Sequence, residues 1–392
     1  MDRSETGDEG PELPTISTQA AVQSALLIVI LVVGIYFLLP KLAGFGDAIS
    51  TVGTANPFWV GVALVCGILS FVAYIALFRS VVGGHDFPIT IREAYEINMA
   101  GFAATLIFSA GGAGGVVLTY WALRQGGMGR RDVATRMVAF IALHGRDGED
   151  GTVQALLELS GVPFTGPGVA SCRLSSDKGL AKHVFGMEGV PTPAWFPVTE
   201  AAIRDYGAAA GLPAAIDRLG LPLVAKPASQ GSALGLTVVT DPADLPAAVV
   251  TALSYGASAL LEEWVDGREL AVSVIGGEPL PIVEAIPTER PTYDFEARYE
   301  IGATRFETPA RLSEADRSQV EQVALAACDA LGCLDLARVD MLLADDGPRV
   351  IEVDPVPGLT ETSLLPQAAE AAGLSFDALV ERILGLATGP DT

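Results

Sequence analysis

Three long runs without a charged residue occupy the first third of the chain. They cover about residues 20–40, 57–78 and 97–123, and charged residues border each of them. Because a helix of about 20 apolar residues crosses a bilayer, the pattern predicts an all-α transmembrane region of about three helices within residues 1–136. The leader before the first run is acidic, whereas a signal peptide begins with basic residues, so we expect a membrane helix there.

The third run differs from the other two because small residues interrupt it. Its middle is SAGGAGG, which allows either close packing of helices or a broken, re-entrant segment. A basic loop, LRQGGMGRRD, follows, and such basic ends face the cytoplasm. We therefore expect a multi-pass protein of the plasma (inner) membrane, with the lipid bilayer as a partner and the following region in the cytoplasm. The stretch from Ala94 to about Arg136 resembles the membrane region of the lysylphosphatidylglycerol synthase and flippase-like family.

After about residue 137 the pattern changes to short apolar strands, amphipathic helices and Gly/Pro turns in alternation. This alternation is typical of a soluble α/β domain. The sequence MVAFIALHG predicts a buried strand that ends at His144. The run from Thr152 to Leu159 predicts a helix that is closed by Gly161 and Pro163.

A hairpin near the carboxyl terminus is the most informative local pattern. The sequence ARVDMLLADDGPRVIEVD predicts two strands around an Asp-Asp-Gly turn. With the turn centred on Asp346, Asp340 lies opposite Glu352. In the same register Arg338 lies opposite Asp354, and alternation puts all four side chains on one face. The residues predicted for the opposite face are apolar: Val339, Met341, Ile351 and Val353.

Two facing carboxylates destabilise a hairpin unless something neutralises them. A divalent cation does so, and Mg²⁺ bound to nucleotide phosphates prefers hard oxygen ligands with few protein contacts. The hairpin therefore predicts a metal site at Asp340 and Glu352. A solvated polar face on an edge hairpin is the alternative.

Two further patterns indicate nucleotide binding, each with a structural alternative. A strand that ends at Lys226 continues into the small-residue loop SQGSALG, which can close over phosphates with backbone N–H groups and one ammonium. An exposed lysine before a flexible turn is the other interpretation. The segment LLEEWV, with Glu269 beyond it, can contact an adenine edge and ribose hydroxyls, or it is a surface acidic loop.

The overall charge narrows the classes of partner. The chain has 392 residues, with 24 Lys and Arg against 47 Asp and Glu, a net charge of −23. We expect no nucleic acid partner, because phosphate backbones need a basic surface. Four cysteines without metal-ligand spacing predict free thiols in a reducing compartment. Only four of the basic residues are lysines, and three of these follow residue 137.

Five motifs in order resemble the D-alanine–D-alanine ligase family of ATP-grasp enzymes, over residues 140–386. The motifs are IALHGRDGEDGTVQALLELSGVPFTGPG, LSSDKGLAK, AKPASQGSALG, YDFEARY and IEVDPVPGLTETSLLPQAAEAAG. The resemblance implies an α/β (α+β ATP-grasp) catalytic region after the transmembrane region. Residues 137–175 would be a remnant of the N-terminal substrate domain, 176–258 the small ATP-grasp subdomain and 259–388 the C-terminal catalytic subdomain.

The resemblance also implies ATP and two Mg²⁺ ions (or Mn²⁺) as cofactors, D-alanine as substrate and a homodimer. The implied nucleotide and metal residues fall into three groups: Lys178 and Lys226 for the phosphates, Glu262, Trp264 and Glu269 for adenine and ribose, and Asp340, Glu352 and Asp354 for the metal ions.

The remaining implied residues act on the amino acids. They are Arg338 and the Gly358 backbone for the oxyanion, Ser363 and Leu364 for the second D-alanine, Ser232 and Tyr299 for the mobile loops, and His144 for the first D-alanine. The expected reaction ligates two D-alanine molecules through an acylphosphate, and Tyr299 favours the dipeptide over a depsipeptide.

Three departures from the family pattern leave alternatives open. The family's opening strand, loop and glutamate are missing, Asp354 stands where asparagine is usual, and Arg298 replaces a lysine. One alternative is an ATP-grasp ligase for another amino acid. The other is a membrane or lipid-transport-type protein that carries an inactive, nucleotide-binding remnant.

Overall fold

A computed structural model describes residues 56–82, 89–107, 113–129, 132–133, 137–231, 233–288 and 304–387. The chain divides into two compact units, residues 1–77 and 78–392. The first helices are α1 (Pro57–Val82), α2 (Ile91–Ile107) and α3 (Ala113–Gln125). The membrane helix predicted over residues 20–40 lies outside the described residues.

Helix α1 agrees with the second predicted membrane helix. It has 26 residues, a mean hydropathy of 2.5 in its most apolar window, and no buried residue in that window. Large apolar side chains such as Phe58 and Leu64 are 68% and 65% exposed. Within the described part of the chain, α1 is the one helix that is long and apolar enough to cross a membrane.

The third predicted membrane helix is not seen as a single helix, because the described residues within 97–123 belong to two shorter helices, as the close-packed or broken alternatives allowed. Helices α2 and α3 have 17 and 13 residues and pack against each other. A Cβ atom on Gly115 would lie 2.2 Å from Thr105 Oγ1 and 2.7 Å from the Gly101 carbonyl oxygen. The glycines therefore serve a close contact between two backbones, and a region of three crossing helices is not supported.

The remainder of the chain alternates helices and strands. The helices are α4 (Thr152–Ser160), α5 (Val169–Ser176), α6 (Lys178–Glu188), α7 (Glu200–Tyr206), α8 (Ala208–Leu219), α9 (Leu245–Leu253), α10 (Glu314–Leu331), α11 (Leu364–Ala371) and α12 (Phe376–Ala387). The strands are β1 (Trp195–Thr199), β2 (Leu223–Pro227), β3 (Thr237–Val239), β4 (Ser258–Glu263), β5 (Arg268–Ile275), β6 (Glu278–Pro279), β7 (Val283–Pro287), β8 (Thr304–Glu307), β9 (Leu336–Ala344) and β10 (Gly347–Asp354). This mixed composition confirms the α/β class.

Two antiparallel sheets organise these strands. The small sheet has the order β1-β4-β2-β3, and α8 and α9 cover one of its faces. The large sheet has the order β10-β9-β5-β7-β8, with β6 paired to β5. Helices α6 and α10 bury residues such as Phe185 against one face of the large sheet, and α11 and α12 bury Leu365 and Ile383 against the other. Apolar residues at alternate strand positions supply each core.

The buried strand predicted over MVAFIALHG is wrong. Ala139 makes a single isolated parallel bridge to Phe164, in which its N–H donates to the Pro163 carbonyl (2.8 Å). A strand needs a neighbour along its whole length, and the described residues offer Ala139 such a neighbour at one point. The helix that follows is confirmed as α4, and Gly161 ends it in the left-handed region (φ 69°).

Candidate active site

A cleft lies between the small and the large sheet, and both sheets contribute charged side chains to it. Lys226 on β2 and Glu262 on β4 come from the small sheet, while Asp340 on β9 and Glu352 on β10 come from the large one. Eight of the residues predicted for the site line this cleft: Lys178, Lys226, Glu262, Trp264, Glu269, Asp340, Glu352 and Leu364.

The carboxylate of Glu262 is the centre of a buried ion-pair network. Lys226 Nζ lies 2.8 Å from its Oε2 atom and Lys182 Nζ lies 3.1 Å from its Oε1 atom. Burial acts to raise the pKa of Glu262, but the two lysines lower it below the usual glutamate value. Burial also lowers the pKa of Lys182, to about 8, against the opposing effect of Glu262. The network therefore keeps an ionised glutamate in the wall of the cleft.

Lys182 is a residue that the sequence reasoning missed. Its side chain is fully buried, and it follows Lys178 by four positions on α6. Residues four apart lie on the same face of a helix, so the DKGLAK pattern carried the signal. The chain has only four lysines, and Lys182 is one of the three that follow residue 137, together with Lys178 and Lys226.

Lys178 joins the small-residue loop to the predicted metal site. Its Nζ atom lies 2.9 Å from Glu352 Oε2 and donates to the Gln230 carbonyl at 2.7 Å. Asp177 caps the helix, because its Oδ1 atom accepts from the Gly179 N–H at 3.0 Å. An ammonium at the N-terminus of α6, beside a loop of small residues, is a suitable site for an anion.

The hairpin register confirms the facing charged pairs. Asp340 is paired with Glu352 and Arg338 with Asp354. Arg338 donates to both carboxylate oxygens of Asp340, at 2.6 and 2.9 Å. Its Nη1 atom also lies 3.1 Å from Asp354 Oδ2. Burial alone would lower the pKa of Arg338, but the two carboxylates raise it well above the usual value.

The prediction for the opposite face of the hairpin is wrong at one position. Near the turn, Val350 is paired with Met341, and the register shifts between Val350 and Glu352. Ile351 is therefore the extra residue of a β-bulge. Val350 packs in the core with no exposed surface, and Ile351 lines the cleft instead. The turn is centred between Asp345 and Asp346, and the bulge shifts the pairing of the two strands by one residue, so that the charged pairs face each other as predicted.

Asp354 is held by Arg338 and by the backbone. Its Oδ1 atom accepts from the Val356 N–H at 3.0 Å. Burial raises the pKa of Asp354 to about 6, against the opposing effect of Arg338. Glu149 and Asp340 add a smaller repulsion that also raises this pKa. The Asp354 carboxyl is therefore half ionised at about pH 6.

The donor set suits Mg²⁺ together with nucleotide phosphates. Within the described ranges no three His, Cys, Asp or Glu side chains form a ready metal-ligand group. Lys178 pairs with Glu352 and Arg338 pairs with Asp340. Mg²⁺ keeps several waters and is bound by one or two carboxylates plus phosphates. The Asp340–Glu352 pair meets that requirement, and the assignment of two ions with Asp354 as a third ligand stays a prediction.

The residues predicted to contact the amino acids lie around the loop after β10. A Cβ atom on Gly358 would lie 2.6 Å from Ser363 Oγ, and Ser363 is the N-cap residue of α11. His144 Nδ1 lies 3.4 Å from Glu149 Oε1. A hydrogen bond with Glu149 raises the pKa of His144, and Asp354 adds to the effect. Ser232 and Tyr299, like Arg298, lie outside the described residues.

Comparisons with known proteins agree with this geometry. The family model for the D-ala D-ala ligase C-terminus matches residues 184–385, and the model for the D-ala D-ala ligase N-terminus matches residues 121–167. A D-alanine–D-alanine ligase of Syntrophotalea carbinolica is 42% identical over 260 residues, which are 65% of this chain and 82% of the relative. One from Synechococcus sp. is 41% identical over 246 residues, 62% of this chain and 74% of the relative.

Solved structures show the same likeness. A D-alanine–D-alanine ligase from Bacillus anthracis, complexed with ATP, has 32% identity and a TM-score of 0.56, with 66% of this chain and 83% of that chain covered. A D-Ala:D-Ser ligase from Enterococcus faecalis has 28% identity and a TM-score of 0.57, with 64% and 72% covered.

Proposed function

The chain belongs to the D-alanine–D-alanine ligase family, and we propose that it joins two D-alanine molecules into D-alanyl-D-alanine for peptidoglycan synthesis, with conversion of ATP to ADP and phosphate. One observation carries the proposal. The buried cations Lys178 and Lys226 share a cleft with the facing carboxylates Asp340 and Glu352. This combination suits a triphosphate with its metal ions.

The residues of the cleft have separate tasks in this reaction. Lys178 and Lys226 bind phosphate oxygens, and Asp340, Glu352 and Asp354 hold Mg²⁺, which screens the phosphate charge when bound. The carboxylate of the first D-alanine attacks the γ-phosphorus, and ADP leaves. The amine of the second D-alanine then attacks the acyl carbon, and phosphate leaves. Because two anions must approach each other, preorganised positive charge is the main contribution of the protein.

The proposal is tested by ADP release from the purified full-length chain with Mg²⁺ and D-alanine. We expect D-alanine-dependent turnover that stops with EDTA and falls at least about a hundredfold in Lys226→Met. L-Alanine is the control for stereochemistry. ATP binding without turnover on any amino acid would overturn the proposal and favour the inactive-remnant alternative.

A ligase that takes a different second amino acid is the remaining alternative, although the curated relatives are D-alanine–D-alanine ligases. The likeness to a D-Ala:D-Ser ligase makes D-serine the amino acid to compare. If ADP release in a mixture of D-alanine and D-serine yields mainly the mixed dipeptide, the ligase proposal holds with a different second substrate. Mass spectrometry of the product distinguishes the two dipeptides.

We also propose that α1 attaches the ligase to the plasma membrane, with the ligase region in the cytoplasm. The helix spans about 39 Å at 1.5 Å per residue, which exceeds the ~30 Å hydrocarbon core. Its apolar side chains are exposed, and Arg79 lies in its last turn. The segment after α1, from Ala94 to about Arg136, resembles the membrane region of the lysylphosphatidylglycerol synthase and flippase-like family, which supports the same attachment.

Membrane attachment is tested by fractionation after a carbonate wash. We expect the wild-type chain in the membrane pellet and Leu64→Arg/Ile68→Arg partly in the supernatant, because each central arginine costs roughly 3 kcal/mol of insertion free energy. Val250→Arg is the control, since Val250 is also an exposed apolar residue (68%, against 65% for Leu64 and 55% for Ile68) but lies on α9. Wild-type protein in the supernatant would contradict the proposal.

A homodimer is the last part of the proposed function. It rests on the family resemblance, because D-alanine–D-alanine ligases are commonly dimers. Light scattering on the detergent-solubilised chain should give twice the 40.6 kDa chain mass after correction for detergent. A protein mass of one chain would contradict it.

A further inference from the structure

Two lysines share the buried carboxylate of Glu262, but they do not share the same surroundings. The Lys226 side chain lines the cleft and is 7% exposed. The Lys182 side chain has no exposed surface and lies behind the wall of the cleft. Lys226 can therefore contact a ligand in the cleft, whereas the Lys182 ammonium cannot and remains beside Glu262.

The position of Lys182 is held from a second direction. Its Nζ atom donates to Thr192 Oγ1 at 2.6 Å, and Thr192 Oγ1 donates to the Val350 carbonyl at 2.7 Å. Val350 immediately precedes the bulge that places Glu352. The chain of contacts therefore joins Glu262 on the small sheet to the β9–β10 hairpin of the large sheet through Lys182 on α6.

Charge balance shows why a second lysine matters. Glu262 is 3% exposed, and removing one partner of a buried ion pair leaves an uncompensated charge that costs several kcal/mol. If Lys226 were the sole partner of Glu262, a move of its ammonium toward a phosphate would leave the Glu262 carboxylate buried without a counter-ion. A second cation that cannot leave removes this cost.

We infer that Lys182 is a positioning residue that serves as the permanent counter-ion of Glu262 and thereby frees Lys226 to bind nucleotide phosphates. The inference rests on the proposed function, because it takes ATP as the ligand of the cleft. It adds a role for a residue that does not itself touch the nucleotide.

The test is a double-mutant cycle of Lys182→Met and Glu262→Gln in the full-length chain. The measurement is the dissociation constant of MgATP by calorimetry, without any amino acid. We expect Lys182→Met to weaken binding at least tenfold in the wild-type background, because Lys226 then stays with Glu262. In the Glu262→Gln background the same change should weaken binding less than threefold, since a neutral amide needs no counter-ion. An equal factor in both backgrounds would overturn the inference.

Two further readouts separate positioning from packing. Adenosine has no phosphate, so Lys182→Met should weaken adenosine binding much less than ATP binding. Thermal unfolding should show Lys182→Met/Glu262→Gln to be more stable than Lys182→Met alone, because the second change removes a buried carboxylate that has lost one of its two counter-ions. If the double variant is the less stable one, Lys182 acts through packing and the inference fails. Because no D-alanine is used, absence of ligase turnover would count against the proposed function alone.

Discussion

The β-bulge at Ile351 in the β9–β10 hairpin leads to a prediction that distinguishes two possible registers of β10 against β9. With the bulge, Val350 points into the core and Ile351 into the cleft. In a regular hairpin with the same charged pairs, the two residues would exchange faces, because side chains alternate along a strand. Alanine at each position therefore reports which residue is buried.

The size of the effect follows from the burial. Val350 has no exposed surface and packs with Val339 and Met341. Removing its two methyl groups costs about 1.6 kcal/mol of transfer free energy, and the residual cavity raises the total to about 2–3 kcal/mol. Ile351 is partly exposed, so Ile351→Ala should cost less than about 1 kcal/mol of unfolding free energy.

Thermal unfolding and ATP binding provide the assay. We expect Val350→Ala to lower the Tm by about 4–6 °C, at roughly 2 °C per kcal/mol for a domain of this size. Ile351→Ala should leave the Tm nearly unchanged and weaken MgATP binding, because Ile351 lines the cleft. Val353→Ala is the control, since Val353 is buried in both registers. A larger loss of stability from Ile351→Ala than from Val350→Ala would refute the bulge.

The remaining predictions concern one titrating group and two glycines that have close neighbours. Burial raises the pKa of Asp354 to about 6, so the unfolded chain loses this proton first and the carboxyl lowers the stability as the pH rises from about 4 to about 6. Asp354→Asn should be stabilised relative to wild type at pH 8 but not at pH 4, as measured by Tm against pH. Gly358→Ala should raise the KM for D-alanine, because its Cβ atom would meet Ser363 Oγ at 2.6 Å, and an unchanged KM would contradict this. Gly115→Val should destabilise the contact between α2 and α3, where a Cβ atom would lie 2.2 Å from Thr105 Oγ1; Gly61→Val, with open space around it, is the control for thermal unfolding.

Local patterns in the chain predicted most of the charged residues that meet in the cleft. The predicted hairpin correctly placed Asp340 opposite Glu352, although this pairing depends on a bulge at Ile351 that the alternation did not predict. A long apolar run predicted α1, because the length and the composition of a run are local properties of the chain. The helix α4 was predicted from its closing glycine.

Other predictions failed where a neighbour decides the structure. The run over residues 97–123 was expected to be a membrane helix, either closely packed or broken at its small residues, and its described part forms two shorter helices that meet closely at Gly101 and Gly115. The segment that ends at His144 was expected to be a strand, but a strand depends on a partner elsewhere in the chain. Apolar composition alone contains neither piece of information.

By itself the sequence determined the family, the apolar helix and the identity of the charges that face a nucleotide, because motif spacing and side-chain period are written in consecutive residues. Tertiary structure alone decided that Val350, and not Ile351, enters the core, because a bulge is set by the competition between a turn and the packing of the whole strand. It also decided that Lys182 meets Glu262, which lies on another element of the fold. Burial and charge pairing act between distant segments, and only the folded chain brings those segments together.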